Sequence, residues 1–178
     1  MPSSLVRPVV SRALVAGTAL TAVTLLAGCS AVQSLVGGVE PERDEETGEV
    51  MAAVEANAFA LRVGDCIDAD EEFTEEVQDV ASVPTVPCDQ AHDSEIYAAT
   101  EMTDETYPGD ETVASAADEF CYGEFESFVG LPYEDSVLYF SAMYPSPESW
   151  ELGDDREILC VVVDEAGGRT ATMADAGV

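Results

Sequence analysis

Four cysteines, Cys66, Cys88, Cys121 and Cys160, limit what this acidic chain can fold into more than any other feature. They form an even set only because the fifth, Cys29, has a different chemistry. Cys29 closes the run Leu26-Ala27-Gly28-Cys29, a lipobox, after a basic start with Arg7 and Arg12 and an apolar stretch from about Ala13 to Ala27. That stretch is too short and too rich in small residues for a stable transmembrane helix. Ordinary signal cleavage wants small residues at minus three and minus one. Leu26 is too large for that and fits the lipoprotein peptidase instead. Residues 1–28 therefore read as a lipoprotein signal peptide, and Cys29 as the lipidation site. The acyl chains on its thiol would anchor the protein to the cell membrane with the polypeptide on the extracytoplasmic face.

Outside the cytoplasm thiols pair, so Cys66, Cys88, Cys121 and Cys160 are expected to form two disulfides, with three connectivities open. No two of them have the C-x-x-C spacing of a zinc knuckle or a thioredoxin-like centre, which favours a structural role.

The chain has 37 acidic residues, six arginines and no lysine. Every acid follows Cys29, so loss of residues 1–28 leaves four arginines and a net charge of −33. Such a surface repels nucleic acid and anionic lipid head groups. It attracts divalent cations or a basic partner, and it also keeps an exported protein soluble.

Residues 29–57 are small, polar and acidic, with Gly37-Gly38, Pro41 and Asp44-Glu45-Glu46, and read as a lipidated N-terminus followed by a flexible tether. At roughly 5–6 Å times the square root of its length, the tether would span on the order of 30 Å. Within it, Glu49 to Ala56 offers at most a fraying helix. Residues 58–166 form the globular domain, and 167–178 have no pattern that packs and read as a disordered tail.

In the domain, Phe59 to Val63 alternates like a half-buried strand that ends at Gly64-Asp65. Val83 to Val86 and Glu95 to Ala99 are short strands flanking Cys88 and His92. Between Tyr107 and Gly130 the period changes. Asp110 can cap a helix on which Val113, Ala117, Phe120, Cys121, Phe125, Phe128 and Val129 share one face, and Gly130 with Pro132 ends it. Ser136 to Ala142 and Glu157 to Val163 are apolar on both faces, which places both centrally in a sheet. Between them Ser146 caps a helical turn begun by Pro147 and closed by Gly153. The expected class is α+β: a small antiparallel sheet of about five strands, one long helix packed on it, and two disulfides.

Candidate chemistry is sparse. His92 is the single histidine and lies among carboxylates in Asp89-Gln90-Ala91-His92-Asp93-Ser94-Glu95. No Gly-x-Ser-x-Gly elbow supplies a nucleophile, so a hydrogen-bonded turn beside Cys88 is the favoured role for it. Asp68-Ala69-Asp70-Glu71-Glu72 alternates carboxylates like a calcium loop. Phe73 stands where such a loop needs glycine, and no bidentate glutamate closes it, so a solvated acidic loop is expected. Tyr139, Phe140, Tyr144 and Trp150 are core or recognition residues, with Tyr139 and Phe140 on opposite faces of a strand. No cofactor fingerprint, metal-ligand set, phosphate loop or basic stripe is present.

Val63-Gly64-Asp65-Cys66, Val86-Pro87-Cys88 with His92-Asp93 and Glu95, Tyr107-Pro108-Gly109, Cys121, Tyr144-Pro145 with Ser149-Trp150, and Gly153, Arg156 and Cys160 together resemble the septum formation family of actinobacterial exported proteins. Gly153-Asp154-Asp155-Arg156 is one residue longer than the family's Gly-Asp-Arg. The resemblance implies sequential pairing, Cys66 with Cys88 and Cys121 with Cys160, and a link to septum formation without a catalytic mechanism. The expectation is a non-catalytic binding domain, tethered to the membrane through the lipid on Cys29, with a protein or cell-envelope partner and no nucleic acid. Its competitors are an envelope hydrolase using His92 as base and a cation- or solute-binding module.

Overall fold

A computed structural model describes residues 38–68 and 80–178. Six strands, β1 (Val54–Asn57), β2 (Cys66–Ile67), β3 (Ser82–Val86), β4 (Ser94–Glu101), β5 (Tyr139–Met143) and β6 (Glu157–Val163), form one antiparallel curled sheet in the order β1-β3-β2-β4-β6-β5. Helix α1 (Asp110–Val129) lies across it, and a short helix α2 (Pro147–Gly153) joins β5 to β6. The α+β class with one long helix is therefore present, with one strand more than expected. No helix among the described residues is long and apolar enough to cross a membrane.

Strand β6 organises the core because both its faces are apolar. Ile158, Cys160 and Val162 meet Ala117, Cys121, Phe125 and Val129 of α1. Leu159, Val161 and Val163 meet Ala56, Leu61, Ile67, Val83 and Ile96 on the other face. Each large side chain so buried contributes about 1.5–3 kcal/mol. A bulge between Ile96 and Ala98 turns the Tyr97 ring onto the helix side, edge-on to Phe125 at 6.2 Å, and its hydroxyl donates to the Cys121 carbonyl at 2.6 Å. Burial there pushes the Tyr97 phenol well above its ordinary pKa. Cys121 is bonded to Cys160, which ties α1 to β6, and Cys66 is bonded to Cys88, the sequential pairing that the resemblance implies.

Helix α1 starts one residue earlier than the sequence suggested. Gly109, at φ 99°, is the cap, and Asp110 and Glu111 sit in the first turn, where the helix dipole favours negative charge. Strand β5 also differs from expectation. It is an edge strand pairing with β6 alone, and its two apolar faces arise because Phe140 packs on the helix-side cluster while Tyr139 and Met143 pack on the opposite one. The stretch from Phe59 to Val63 is not a strand: Ala58–Ala60 is a 3-10 turn capped by the Asn57 side chain, and Leu61 alone reaches the core deeply. At α2, Ser146 and Ser149 form a capping box around Pro147. The extra residue in Gly153-Asp154-Asp155-Arg156 is absorbed by Asp154, which takes the left-handed conformation at φ 53° as C-cap.

Both domain boundaries need correction. The segment expected as tether is folded from residue 38 onward. Val39 bridges Ala56 beside β1, and Arg43 pairs with Val50 to close a hairpin whose turn is Asp44 to Gly48. The Asp44 carboxylate accepts the Glu46 and Thr47 amides at 2.9 Å each, which holds its pKa below the usual range. The acidic run is thus an Asx-type turn, and Glu49 to Ala56 leads into a strand rather than a helix. Arg43 then reaches the core edge. Its guanidinium donates to the Asp65 carboxylate at 2.8 Å and to the Ala60 carbonyl at 2.9 Å, with side-chain exposures of 10% for Arg43 and 2% for Asp65. The hydrogen bond to Asp65 raises the Arg43 pKa further, so the arginine stays charged.

Removing one member of a buried ion pair strands the other. Arg43→Ala should therefore cost about 3–5 kcal/mol in urea unfolding of the domain. A loss below about 1 kcal/mol would return this hairpin to the status of a loose tether.

At the far end of the sheet Glu157 lies directly opposite Glu101 and beside Asp155. Desolvation first, then these two charges, raise its pKa. A carboxyl whose folded pKa is raised favours folding in its protonated form, so its penalty grows as pH rises above the ordinary glutamate range. Glu157→Gln should stabilise the domain at pH 7 by roughly 0.2–1 kcal/mol, the scale of like charges across a strand pair. The gain should shrink below pH 4; an equal gain at both pH values would remove the electrostatic explanation.

Candidate functional site

The polar residues that the sequence singled out converge on the seam between β2 and β4. In the register Cys66 is opposite Glu95, and Glu95 is opposite Val162, so Cys66 and Glu95 share the α1 face of the sheet. His92 precedes β4 and forms a two-residue ladder with Arg169, each backbone amide donating to the other's carbonyl at 2.9 Å. Cys66 and His92 are 0% exposed and Glu95 is 3% exposed.

His92 plays the part expected of a turn residue. Its Nδ1 lies 2.8 Å from the Gln90 carbonyl oxygen, which can only accept, so Nδ1 carries the proton. Nε2 is buried with no hydrogen-bond partner among the described residues. The neighbouring hydroxyl is committed elsewhere: Ser94 Oγ donates to Asp93 at 2.7 Å. No serine, histidine and acid are therefore strung together here.

Glu95 has the role that sequence reasoning missed. Its Oε1 accepts the Thr172 hydroxyl at 2.7 Å, and its Oε2 accepts the Met173 amide at 2.6 Å. Met173 is fully buried in the helix-side cluster. The tail expected to be disordered is thus docked, and it continues along the end of α1. The amides of Asp175 and Gly177 donate to the Phe128 and Val129 carbonyls at 2.7 and 2.9 Å. The last turn of α1 contains no basic residue to satisfy those carbonyls, and the tail backbone does so instead. Two signals were available: a glutamate inside an apolar strand needs partners, and Met173 is a large apolar residue in a tail of small ones.

Ligand atoms of Cys66, His92 and Glu95 all lie within 4.8 Å of one another. With Cys66 in a disulfide the group has no thiolate, so in this form it lacks its best metal donor. Beyond Asp68 the acidic run weighed as a calcium loop lies outside the described residues, as does Cys29. The aromatic residues divide. Trp150 is buried, stacked under Arg156 at 3.8 Å and edge-on to Tyr107 at 5.5 Å, whereas Tyr144 is exposed. Tyr139 and Phe140 are half-buried on opposite faces. Desolvation and the Asp110 carboxylate push the Tyr107 phenol up to about 12.

The model of the septum formation family matches residues 38–177, which takes in the hairpin and the docked tail rather than stopping at 58 and 166. The chain belongs to the septum formation family. The family match covers the Arg43 hairpin, both disulfides and the docked tail. No curated protein and no solved structure matches the chain.

The tail's contribution is measurable at Met173. Met173→Ala should cost about 2–5 kcal/mol in denaturant unfolding, as expected for emptying a filled core position. A change under about 0.5 kcal/mol would mean that residues 167–178 do not pack.

Proposed function

We propose that this protein is a lipoprotein anchored through Cys29 to the extracytoplasmic face of the cell membrane, and that its septum formation domain works by binding a protein or cell-envelope component rather than by catalysis. The observation that carries the non-catalytic reading is the sealing of the single histidine. His92 is wholly buried, one ring nitrogen is committed to Gln90, and the adjoining Cys66 and Glu95 are committed to a disulfide and to the tail. A hydrolase base must reach a substrate proton within hydrogen-bond distance, and a ring at 0% exposure has no such access. The family is not a known enzyme family. The lipid anchor rests on the run Leu26-Ala27-Gly28-Cys29.

The start of the family match at residue 38 changes what such an anchor does. Eight residues, 30–37, separate Cys29 from the matched region. Even fully extended at about 3.3–3.6 Å each, they keep it within about 30 Å of the lipid. The partner must then be a component of the membrane surface or of the wall zone next to it. Acidic side chains on the domain favour a basic contact surface on that partner.

Cys29→Ser should abolish incorporation of a fatty-acid analogue and release the protein from the membrane fraction. The wild-type chain, assayed beside His92→Ala on ester, amide and glycan substrates, should show no turnover for the mutation to remove. Equal labelling of wild type and Cys29→Ser would defeat the anchor, and a turnover lost in a folded His92→Ala variant would replace the binding reading with the hydrolase.

A further inference from the structure

The polar seam under the tail has one group that the fold leaves unused. His92 Nε2 is buried without a hydrogen-bond partner among the described residues, in a ring that is 0% exposed. His92 belongs to a buried cluster in which one of its ring nitrogens, the Cys66 sulfur and a Glu95 carboxylate oxygen all lie within 4.8 Å of one another. Glu95 is not exhausted by the tail. Each of its oxygens accepts one hydrogen bond, and an ionised carboxylate has about four lone-pair sites, so a face remains for a further partner. We infer that opening the Cys66–Cys88 disulfide converts this seam into a binding site for a zinc-class divalent cation, with Cys66, Cys88, His92 and Glu95 as its four ligands.

The donor set fits that ion. Two thiolates, a neutral imidazole nitrogen and a carboxylate oxygen suit a tetrahedral Zn2+, with bonds of about 2.3 Å to sulfur and 2.0–2.2 Å to nitrogen and oxygen. In such a tetrahedron ligand atoms stand about 3.3–3.8 Å apart. The cluster needs to contract by about 1 Å from its 4.8 Å spread, and the two sulfurs need to separate. The imidazole is already in the tautomer required, because Gln90 holds the proton on Nδ1 and leaves Nε2 free to ligate.

The chemistry of opening balances with a dithiol reductant. Cys88 is half-exposed and Cys66 is buried, so the attacking thiolate reaches the Cys88 sulfur and the S–S bond breaks with Cys66 leaving as thiolate. The second thiol of the reductant then displaces Cys88 and leaves as a disulfide, having supplied two electrons. Both cysteine sulfurs bind the cation as thiolates, and any protons they carry are released to solvent. The disulfide form of the same reductant, taking back the two electrons, reverses the sequence and expels the ion. The strongly negative surface raises the local concentration of divalent cations at the seam.

Co2+ is a spectroscopic probe for such a site. The full chain is reduced with a phosphine, freed of it under nitrogen and titrated with Co2+, then with Zn2+ in competition. The expected result is one Co2+ per chain with thiolate-to-cobalt absorption and tetrahedral d–d bands, neither of which the oxidised chain shows. His92→Ala and Glu95→Gln should each weaken binding by more than about tenfold, the lower end of the loss seen when only a hydrogen-bond partner of a metal ligand is removed. Cys88→Ser opens the bridge without reductant and leaves Cys121–Cys160 intact. It should bind Co2+ more weakly, with a single thiolate in the spectrum. Co2+ affinity and spectrum unchanged in His92→Ala would assign the metal to the thiols alone and overturn the site. So would failure of both the reduced chain and folded Cys88→Ser to bind, or loss of the folded circular dichroism signal on opening the bridge.

Discussion

The buried pair between Arg43 and Asp65 holds the N-terminal third of the domain in place. Asp65 also accepts the Arg62 amide at 2.8 Å, and its backbone carbonyl takes the Ile96 amide at 2.9 Å, so one residue connects the hairpin, the turn before β2, and β4. A charge this deep is tolerated only when its partner is equally fixed. Arg43 is fixed by two further acceptors, the Gly48 and Ala60 carbonyls. The turn around Asp44 brings Arg43 to Asp65, which fixes the hairpin against the turn before β2.

Scarcity of positive charge explains much of the remaining design. Four arginines lie among the described residues, and all four meet a carboxylate: Arg43 with Asp65, Arg62 with Glu40, Arg156 with Asp154 and Arg169 with Asp164. The exposed Arg62–Glu40 contact contributes little, whereas Arg156 also stacks on Trp150 and donates to two carbonyls, which locks the turn after α2. With no lysine in the chain, the C-terminus of α1 has no cation to complement its dipole. Backbone amides from the tail meet the need. A net charge far from zero opposes compaction, and two disulfides together with the docked Arg43 hairpin and C-terminal tail act against it.

How far the sequence could be read depended on whether a residue's neighbours were local. Helix α1, the cap at Ser146, β3, β4 and β6 follow from periodicity and turn chemistry over a few residues, and all appear within one or two positions of expectation. The lone His92 as a turn residue was legible for the same reason, since its partner Gln90 is two residues away. The hairpin around Arg43 and the tail around Met173 were not legible. Their partners Asp65 and Glu95 are 22 and 78 residues distant, and small polar residues on either side mask the few that pack. The edge position of β5 was hidden too, because a strand between two apolar clusters has the same two-faced pattern as a central one.

Glu95 is more than the tail requires. A glutamine there would let its amide oxygen accept the Met173 N–H and its amide nitrogen donate to the Thr172 hydroxyl, so the tail would dock without any buried charge. Desolvating a carboxylate is costly, and here no arginine offsets it, since all four described ones are engaged elsewhere. The carboxylate lies instead in a cluster with His92, whose Nε2 has no hydrogen-bond partner among the described residues. A cation held between them would meet both groups at once. The disulfide form keeps the cluster sealed under the tail, whereas the dithiol form supplies the sulfurs that would complete a coordination shell.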